Sequence, residues 1–222
     1  MSALPKIGFL GGTGKEGKGL ALRLAKAGVP VWIGSRSLDR AREVCDELNR
    51  LLGREFIIPA ENRDMIGACE IILLTTPFEH ARAALDAYRD AFPRGTILVD
   101  VTVPVKFESR RAQLLALPEG SGSASLAKHL PEGVLLVGAF KTIPAQVLAD
   151  LAAPLDCDTF VCGDSEPAKA RVMELIRLIP GLRPVDAGDR EAAGTLERMS
   201  VLAMEINRRY KIKSARFRVV GL

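Results

Sequence analysis

The chain is poor in the residues from which many catalytic and metal sites are built. It has two histidines in 222 residues, His80 and His129, which excludes a histidine-rich metal centre. Its four cysteines, Cys45, Cys69, Cys157 and Cys162, fall in three unrelated segments without zinc-site spacing, and no metal is expected. In a cytosolic chain they read as buried free thiols. Aromatic residues make up only 5% of the chain, so the stacking platform of a single-strand nucleic-acid binder is missing. The basic C-terminal cluster Arg208, Arg209, Lys211, Lys213, Arg216 and Arg218 then reads as a solvated helix end or an anion-tail contact, and no nucleic-acid partner is expected. No apolar run approaches the length that crosses a bilayer, so no membrane association is expected. Met1 to Pro5 has neither the charge nor the apolar core of a secretory leader, which predicts a cytoplasmic location. A net charge of +4 favours anionic ligands weakly and identifies nothing by itself.

What is present is a steady alternation of strand and helix patterns. "KIGFLGG" reads as a strand ending in glycines, and Gly17 to Ala27 as a Leu/Ala helix. "VPVWIGSR" is a second strand, followed by an amphipathic helix from Leu38 to Leu52. "EFIIPA" is a third strand, with a short helix from Glu61 to Ala68. "EIILLTTP" is apolar at almost every position, as strands buried on both faces are. A helix from Phe78 to Ala91, the strand "TILVDVTV" and the strand "VLLVGAF" complete the rhythm. Between Pro104 and Leu130 the pattern weakens, with one helix expected near Ser123. After Leu151 come a strand in "DTFVCGD", a helix from Glu166 to Ile179, a short strand in "RPVDAG", a long helix from Asp189 to Tyr210 and a last strand in "RFRVVGL". The expected fold is α/β: a Rossmann-type doubly wound parallel sheet in residues 1–150, with a small C-terminal α/β domain in residues 151–222.

Gly12-Thr13-Gly14-Lys15-Glu16-Gly17 fits G-x-G-x-x-G between a strand and a helix. The first glycine allows a tight turn and the second lets backbone N–H groups approach a pyrophosphate. The third lets the helix pack close to the sheet, while the helix N-terminus supplies positive potential. The other reading is a glycine-rich turn without a ligand, which the strand-before, helix-after context disfavours. The end of the second strand selects the dinucleotide. NAD enzymes place an acid there for the ribose 2′-OH. This chain has Gly34-Ser35-Arg36 instead, with Arg40 one helical turn later. A guanidinium matches phosphate oxygens and stays charged, so the residues point to NADP(H). The plainer alternative makes Ser35 a helix cap and Arg36 a solvated charge.

"IGFLGGTGKEGKGLALRLAKAG", "GSR", "LLTTPFEHA", "AFKTIPA", "FVCGD" and "GLRPVDAG", in this order from Ile7 to Asn207, resemble the F420-dependent NADP reductases. The resemblance implies a homodimer that moves a hydride between NADPH and the 5-deazaflavin coenzyme F420. It places 2′-phosphate contacts on Thr13, Ser35, Arg36 and Arg40. It places nicotinamide-side contacts at Thr76 and Pro77, and acceptor-side contacts in the segment holding Ala139, Phe140, Ile143 and Pro144. Acceptor site and dimer contacts are expected to involve the C-terminal domain. The family more often carries His or Asn where this chain has Lys141.

Hydride transfer needs stacking, distance and electrostatics rather than a nucleophile. This agrees with the lack of a Ser-His-Asp grouping, a Tyr-x-x-x-Lys pair or a metal cluster. Lys141 follows the last sheet strand, so it is read as an electrostatic catalytic group whose ammonium faces the acceptor ring; the alternative is a solvent-facing lysine. His80 opens a helix beside the nicotinamide strand and is a candidate for the cofactor side, although such a histidine more often caps or packs. His129 reads as surface. Leu196, Met199, Leu202, Ala203 and Ile206 form an apolar stripe that suits either packing within the chain or a dimer contact. Two rival functions keep every NADP feature: reduction of another small acceptor (a flavin, ferric chelate or imine), and a non-catalytic NADP-binding sensor.

Overall fold

A computed structural model of the chain describes residues 4–222. The elements run β1 (Ile7–Leu10), α1 (Lys15–Lys26), β2 (Val31–Ser35), α2 (Leu38–Leu52), β3 (Ile57–Glu61), α3 (Asn62–Ala68), β4 (Ile71–Leu74), α4 (Phe78–Ala87) and β5 (Ile97–Asp100). They continue with β6 (Val105–Glu108), β7 (Arg111–Leu114), α5 (Gly122–Ala127), β8 (Leu135–Gly138), α6 (Ala145–Ala149), β9 (Cys157–Val161), α7 (Glu166–Arg177), β10 (Leu182–Asp186) and α8 (Ala193–Tyr210).

Six strands form one parallel sheet in the order β3-β2-β1-β4-β5-β8. This is the doubly wound arrangement, with its reversal of direction between β1 and β4. Every residue of β1, β4 and β5 is buried because helices cover both sheet faces. Alternate side chains feed different cores. Ile7, Phe9, Ile71, Leu73, Ile97 and Val99 join one cluster, while Leu10, Ile72, Leu74 and Leu98 join another.

α2 spans the predicted residues, with Ser37 capping its start and Gly53 in the left-handed conformation ending it. α4 is shorter than expected and gives way to a 3-10 turn at Arg89–Ala91. The weak stretch after Pro104 holds an antiparallel hairpin, β6–β7, which the sequence pattern does not disclose. Its two turn residues, Ser109 and Arg110, have φ of 48° and 64°, the conformation that Asn-Gly usually signals. The hairpin rests on α8, with the Ala112 N–H donating to Glu205.

The predicted last strand does not form. Residues 217–222 lie instead along β9, where the Asp158 N–H donates to the Phe217 carbonyl and the Val219 N–H to the Asp158 carboxylate. Arg183 ties the same tail down through the Val219 and Leu222 carbonyls. β9 and β10 pair in parallel, and a two-hydrogen-bond bridge joins Gly138 at the end of β8 to Cys162. The first core cluster runs on through this layer, taking in Leu155, Cys157, Val161, Val172, Leu175 and Ile176. All four cysteines are buried free thiols.

Candidate functional site

The carboxyl ends of β1, β2, β4, β5 and β8 share one edge, and the residues singled out in the sequence gather along it. The glycine turn follows β1. Its left-handed position is Gly11 (φ +83°), one residue ahead of the G-x-G-x-x-G run, so the tight turn does not rest on Gly12. Gly12 is needed for close approach: a Cβ there would stand 2.7 Å from Phe9 Cβ. Gly17 has the part expected of it, since its Cβ would meet Gly12 Cα at 2.6 Å and Thr75 Oγ1 at 2.9 Å.

Gly14 caps α1 without any side-chain oxygen, and its N–H donates to the Gly11 carbonyl. A Cβ at Gly14 would meet nothing nearer than the Gly11 oxygen at 3.6 Å. The first turn of a twelve-residue helix therefore presents N–H groups toward open space, a cradle that fits a pyrophosphate.

Beyond β2, Ser37 rather than Ser35 caps α2, accepting from the Arg40 N–H, while Ser35 Oγ accepts from the Ser37 N–H. Arg36 is exposed and makes no ion pair among the described residues. Arg40 is also exposed, paired with Glu43 at 2.9 Å, a surface bond that a phosphate can displace at little cost. Thr13 lies partly buried on the glycine turn between these groups and α1.

Thr76 and Pro77 follow β4 directly beside the glycine turn. A Cβ on Gly11 would approach Thr76 Oγ1 to 2.4 Å, and both Thr75 and Thr76 hydroxyls donate to the Leu10 carbonyl. His80 is not drawn into the crevice. Its ring is 70% exposed, and its Nε2 lies 3.5 Å from Glu79 on the same helix. His129 is half-buried rather than freely exposed, with Nδ1 2.8 Å from Asp86.

The segment after β8 is tightly determined. Phe140 is buried with a φ of 59°, and its N–H donates to Thr159 Oγ1. Thr142 is buried, and its hydroxyl has no hydrogen-bond partner among the described residues. Ala139 and Ile143 are buried, and Pro144 caps α6.

Lys141 overturns the solvent-facing alternative. Its side chain is 1% exposed, so it is not solvent-facing, and its ammonium is committed to groups of the protein. The ammonium donates to Asp100 at 2.7 Å and to the Thr102 carbonyl at 2.6 Å, and it lies 3.6 Å from Glu197. The physical reason is that Asp100, wholly buried at the end of β5, demands a counter-charge. Burial pushes the Asp100 carboxyl up, but Lys141 together with the Ser123 and Thr102 hydroxyls outweighs it and holds that carboxyl below its ordinary range. Glu197, on α8, accepts the Gly122 and Ser123 N–H groups at the start of α5. Burial raises its carboxyl despite Lys141. Ser200 of α8 donates to the Lys141 carbonyl at 2.8 Å. Asp100, Ser123, Glu197 and Ser200 were not singled out from the sequence; an Asp inside the apolar run "TILVDV" was the available signal.

Glu16, the fifth residue of the glycine run, is half-buried in the first turn of α1. Burial pushes its carboxyl up to about 8, with no ion-pair or hydrogen-bond partner opposing it among the described residues.

Against this geometry stand the likenesses to known proteins. The profile of a family described as NADP oxidoreductase, coenzyme F420-dependent, matches residues 6–104. An F420-dependent NADP reductase from Methanocaldococcus jannaschii is 34% identical over 98% of this chain and 99% of its own length. One from Methanothermobacter thermautotrophicus is 33% identical over 98% of this chain and 95% of its own length. A solved structure from Arthrobacter sp. FB24, carrying a provisional assignment as an F420-dependent NADP reductase, superimposes with a TM-score of 0.81. It is 22% identical and is covered completely, against 98% of this chain.

Proposed function

The chain belongs to the family of the F420-dependent NADP reductases, and from that membership we infer how its crevice works. The protein is an NADP-dependent oxidoreductase that passes a hydride between NADP(H) and coenzyme F420. Two observations support this reading together: identity over nearly the full length, and a glycine cradle at the β1/β4 switch point beside the acceptor segment.

NADP(H) supplies the hydride donor or acceptor carbon; the protein's part is to place and screen it. The α1 N-terminus and the Gly12–Gly17 backbone, including Thr13 and Lys15, hold the pyrophosphate. Arg36 is free to take the 2′-phosphate, with Ser35, Thr13 and a released Arg40 beside it. Thr76 and Pro77 border the nicotinamide. Ala139, Phe140, Ile143 and Pro144 form the acceptor wall. His80, outside the crevice, is left without a part in it.

The C-terminal unit, residues 151–222, closes the acceptor side and carries a dimer contact. Leu202 of α8 is 52% exposed in one chain, and Phe107 of the neighbouring hairpin is exposed too. Covering them with a second copy removes apolar surface from water. Sedimentation at micromolar concentration should give a dimer; a monomer rejects that contact. Four buried free thiols suit a reducing cytoplasm. No described helix is long and apolar enough to cross a membrane.

The deciding assay mixes purified protein with NADPH and F420 and follows loss of the oxidised deazaflavin's visible absorbance. A flavin, a ferric chelate and an imine serve as competing acceptors. Turnover with one of these and none with F420 would overturn the acceptor.

A further inference from the structure

We propose that Arg23 is a positioning residue: it ties the helix that cradles the cofactor to the helix that ends the acceptor wall, and so sets the distance between the two reacting rings. The inference rests on the acceptor side assigned above.

Arg23 lies in α1, is 4% exposed, and has no carboxylate bonded to it among the described residues. Its guanidinium is given to main-chain carbonyls. Nε donates to Leu148 at 3.0 Å, Nη1 to Ala153 at 3.0 Å, and Nη2 to Val147 at 2.9 Å and to Asp150. α6 needs these bonds. It has five residues, too few to hold as a helix unaided, and its last carbonyls have no partner within it. Asp150, at its end, is extended (φ −82°, ψ 95°), so the left-handed cap that usually meets such carbonyls is missing. A planar fork with five donors reaches carbonyls before and after that helix end. A lysine ammonium, donating from one point, cannot span from Val147 to Ala153.

The packing beneath the fork is equally close. Gly19, one turn earlier on the same face of α1, leaves no room for a side chain: a Cβ there would stand 2.7 Å from Leu148 Cβ. Lys26, one turn later, donates to the Leu151 carbonyl at 2.8 Å.

The two helices carry the two half-sites at their other ends. α1 starts after Gly14, the open cradle for the pyrophosphate, and Arg23 follows about 13 Å along a rigid rod. α6 starts after Pro144, the last residue of the acceptor wall. The other hydrogen bonds of that wall run to elements that do not cradle the cofactor. The Ala139 N–H donates to the Asp100 carbonyl of β5 and the Phe140 N–H to Thr159 of β9, while the Lys141 carbonyl accepts from Ser200 of α8. Among the described residues, the side-chain bonds from α1 to residues 145–153 come from Arg23 and Lys26, and all but one are from Arg23. Hydride transfer is steep in distance: a misplacement of about 1 Å costs about 10²-fold in rate.

The test separates placement from folding. Arg23→Met removes the fork and keeps an apolar stem, and Arg23→Lys keeps the charge without the fork. Gly19→Ala keeps every donor and pushes α6 away from α1. In each, NADPH affinity should stay within about twofold of the parent, because the cradle is untouched. Single-turnover hydride transfer from bound NADPH to saturating F420 should fall by about 10- to 100-fold in Arg23→Met and Gly19→Ala, and by less in Arg23→Lys. Amide hydrogen exchange of the NADPH complex should quicken in residues 139–150 and stay as in the parent in the glycine turn and β5. Urea titration fixes a temperature at which each variant is folded; if Arg23→Met does not fold, Arg23→Lys and Gly19→Ala carry the same comparison. Hydride transfer within about twofold of the parent in the folded variants overturns the proposal. So does a loss of NADPH affinity that matches the loss of rate, which would make Arg23 a support of α1 alone. A parent that does not reduce F420 refutes the acceptor assignment alone. The exchange pattern then decides the tie between the helices, and unchanged or chain-wide exchange in the variants overturns it.

Discussion

Removing the Lys141 ammonium while leaving Asp100 in place strands a carboxylate that is 0% exposed. Breaking a buried pair from one side costs about 3–5 kcal/mol, because the remaining charge is neither solvated nor neutralised. Lys141→Met should therefore lose that much stability, and Asp100→Asn a similar amount, because it removes the nearest counter-charge of the buried ammonium and leaves Glu197 at 3.6 Å. The double variant should be no less stable than either single one. Asn can still accept from Ser123 and Thr102, Met fills the space of the lysine stem, and Glu197 keeps the Gly122 and Ser123 N–H groups as partners. At about 2–4 °C per kcal/mol for a chain of this size, each single variant should melt about 6–20 °C below the parent. Trp32, the one tryptophan, packs partly buried on β2 and reports urea unfolding by fluorescence. Acid provides a second check. In the parent, Asp100 is held below its ordinary range, so its contribution is present above pH 3.8 and lost as pH falls through the lower folded value. In Lys141→Met that carboxyl titrates upward, so the deficit against the parent should shrink as pH falls toward 4. Additive losses in the double variant, or a Lys141→Met protein within about 1 kcal/mol of the parent, would refute the pairing argument.

Arg36→Ala should weaken NADPH binding by about one to two decades, the worth of a charge-assisted hydrogen bond, with NADH affinity nearly unchanged. Because Arg36 is exposed and unpaired among the described residues, its melting temperature should not move; equal losses for both cofactors would assign it to the fold instead. Gly17→Ala forces a Cβ to within 2.6 Å of Gly12, so NADPH binding should fall by about tenfold or more, measured by the quenching of Trp32 fluorescence. The Glu16 carboxyl, raised from 4.5 to about 8 by burial, keeps a proton in the folded chain that the unfolded chain has lost. Free-protein stability from this group is therefore full below pH 4.5 and declines up to pH 8. The stability advantage of Glu16→Gln over the parent should grow across that window in urea titrations.

The period of apolar residues was enough to order the first five sheet strands and their helices, because a strand buried on both faces and a helix with one buried stripe leave different local patterns. α2 could be placed to the residue from its amphipathic pattern, although its cap is Ser37 and not Ser35. The choice of NADP was equally legible, because it turns on which side chain ends one strand. The hairpin β6–β7 was not, as its turn lacks the residues that usually adopt positive φ and most of its side chains face water. Nor could the sequence aim Lys141. Its partner Asp100 lies 41 residues away, and the Glu197 carboxylate that completes the cluster meets a helix start 75 residues before it. Those groups become neighbours only when β5, β8, α5 and α8 converge on one sheet edge. For Glu16 likewise, the glycine fingerprint fixes its place in the first turn of α1, while burial in the folded chain is what raises its carboxyl. Local pattern therefore sets element, motif and cofactor, while the direction and charge state of a polar side chain are decided by the long-range neighbours that replace its water.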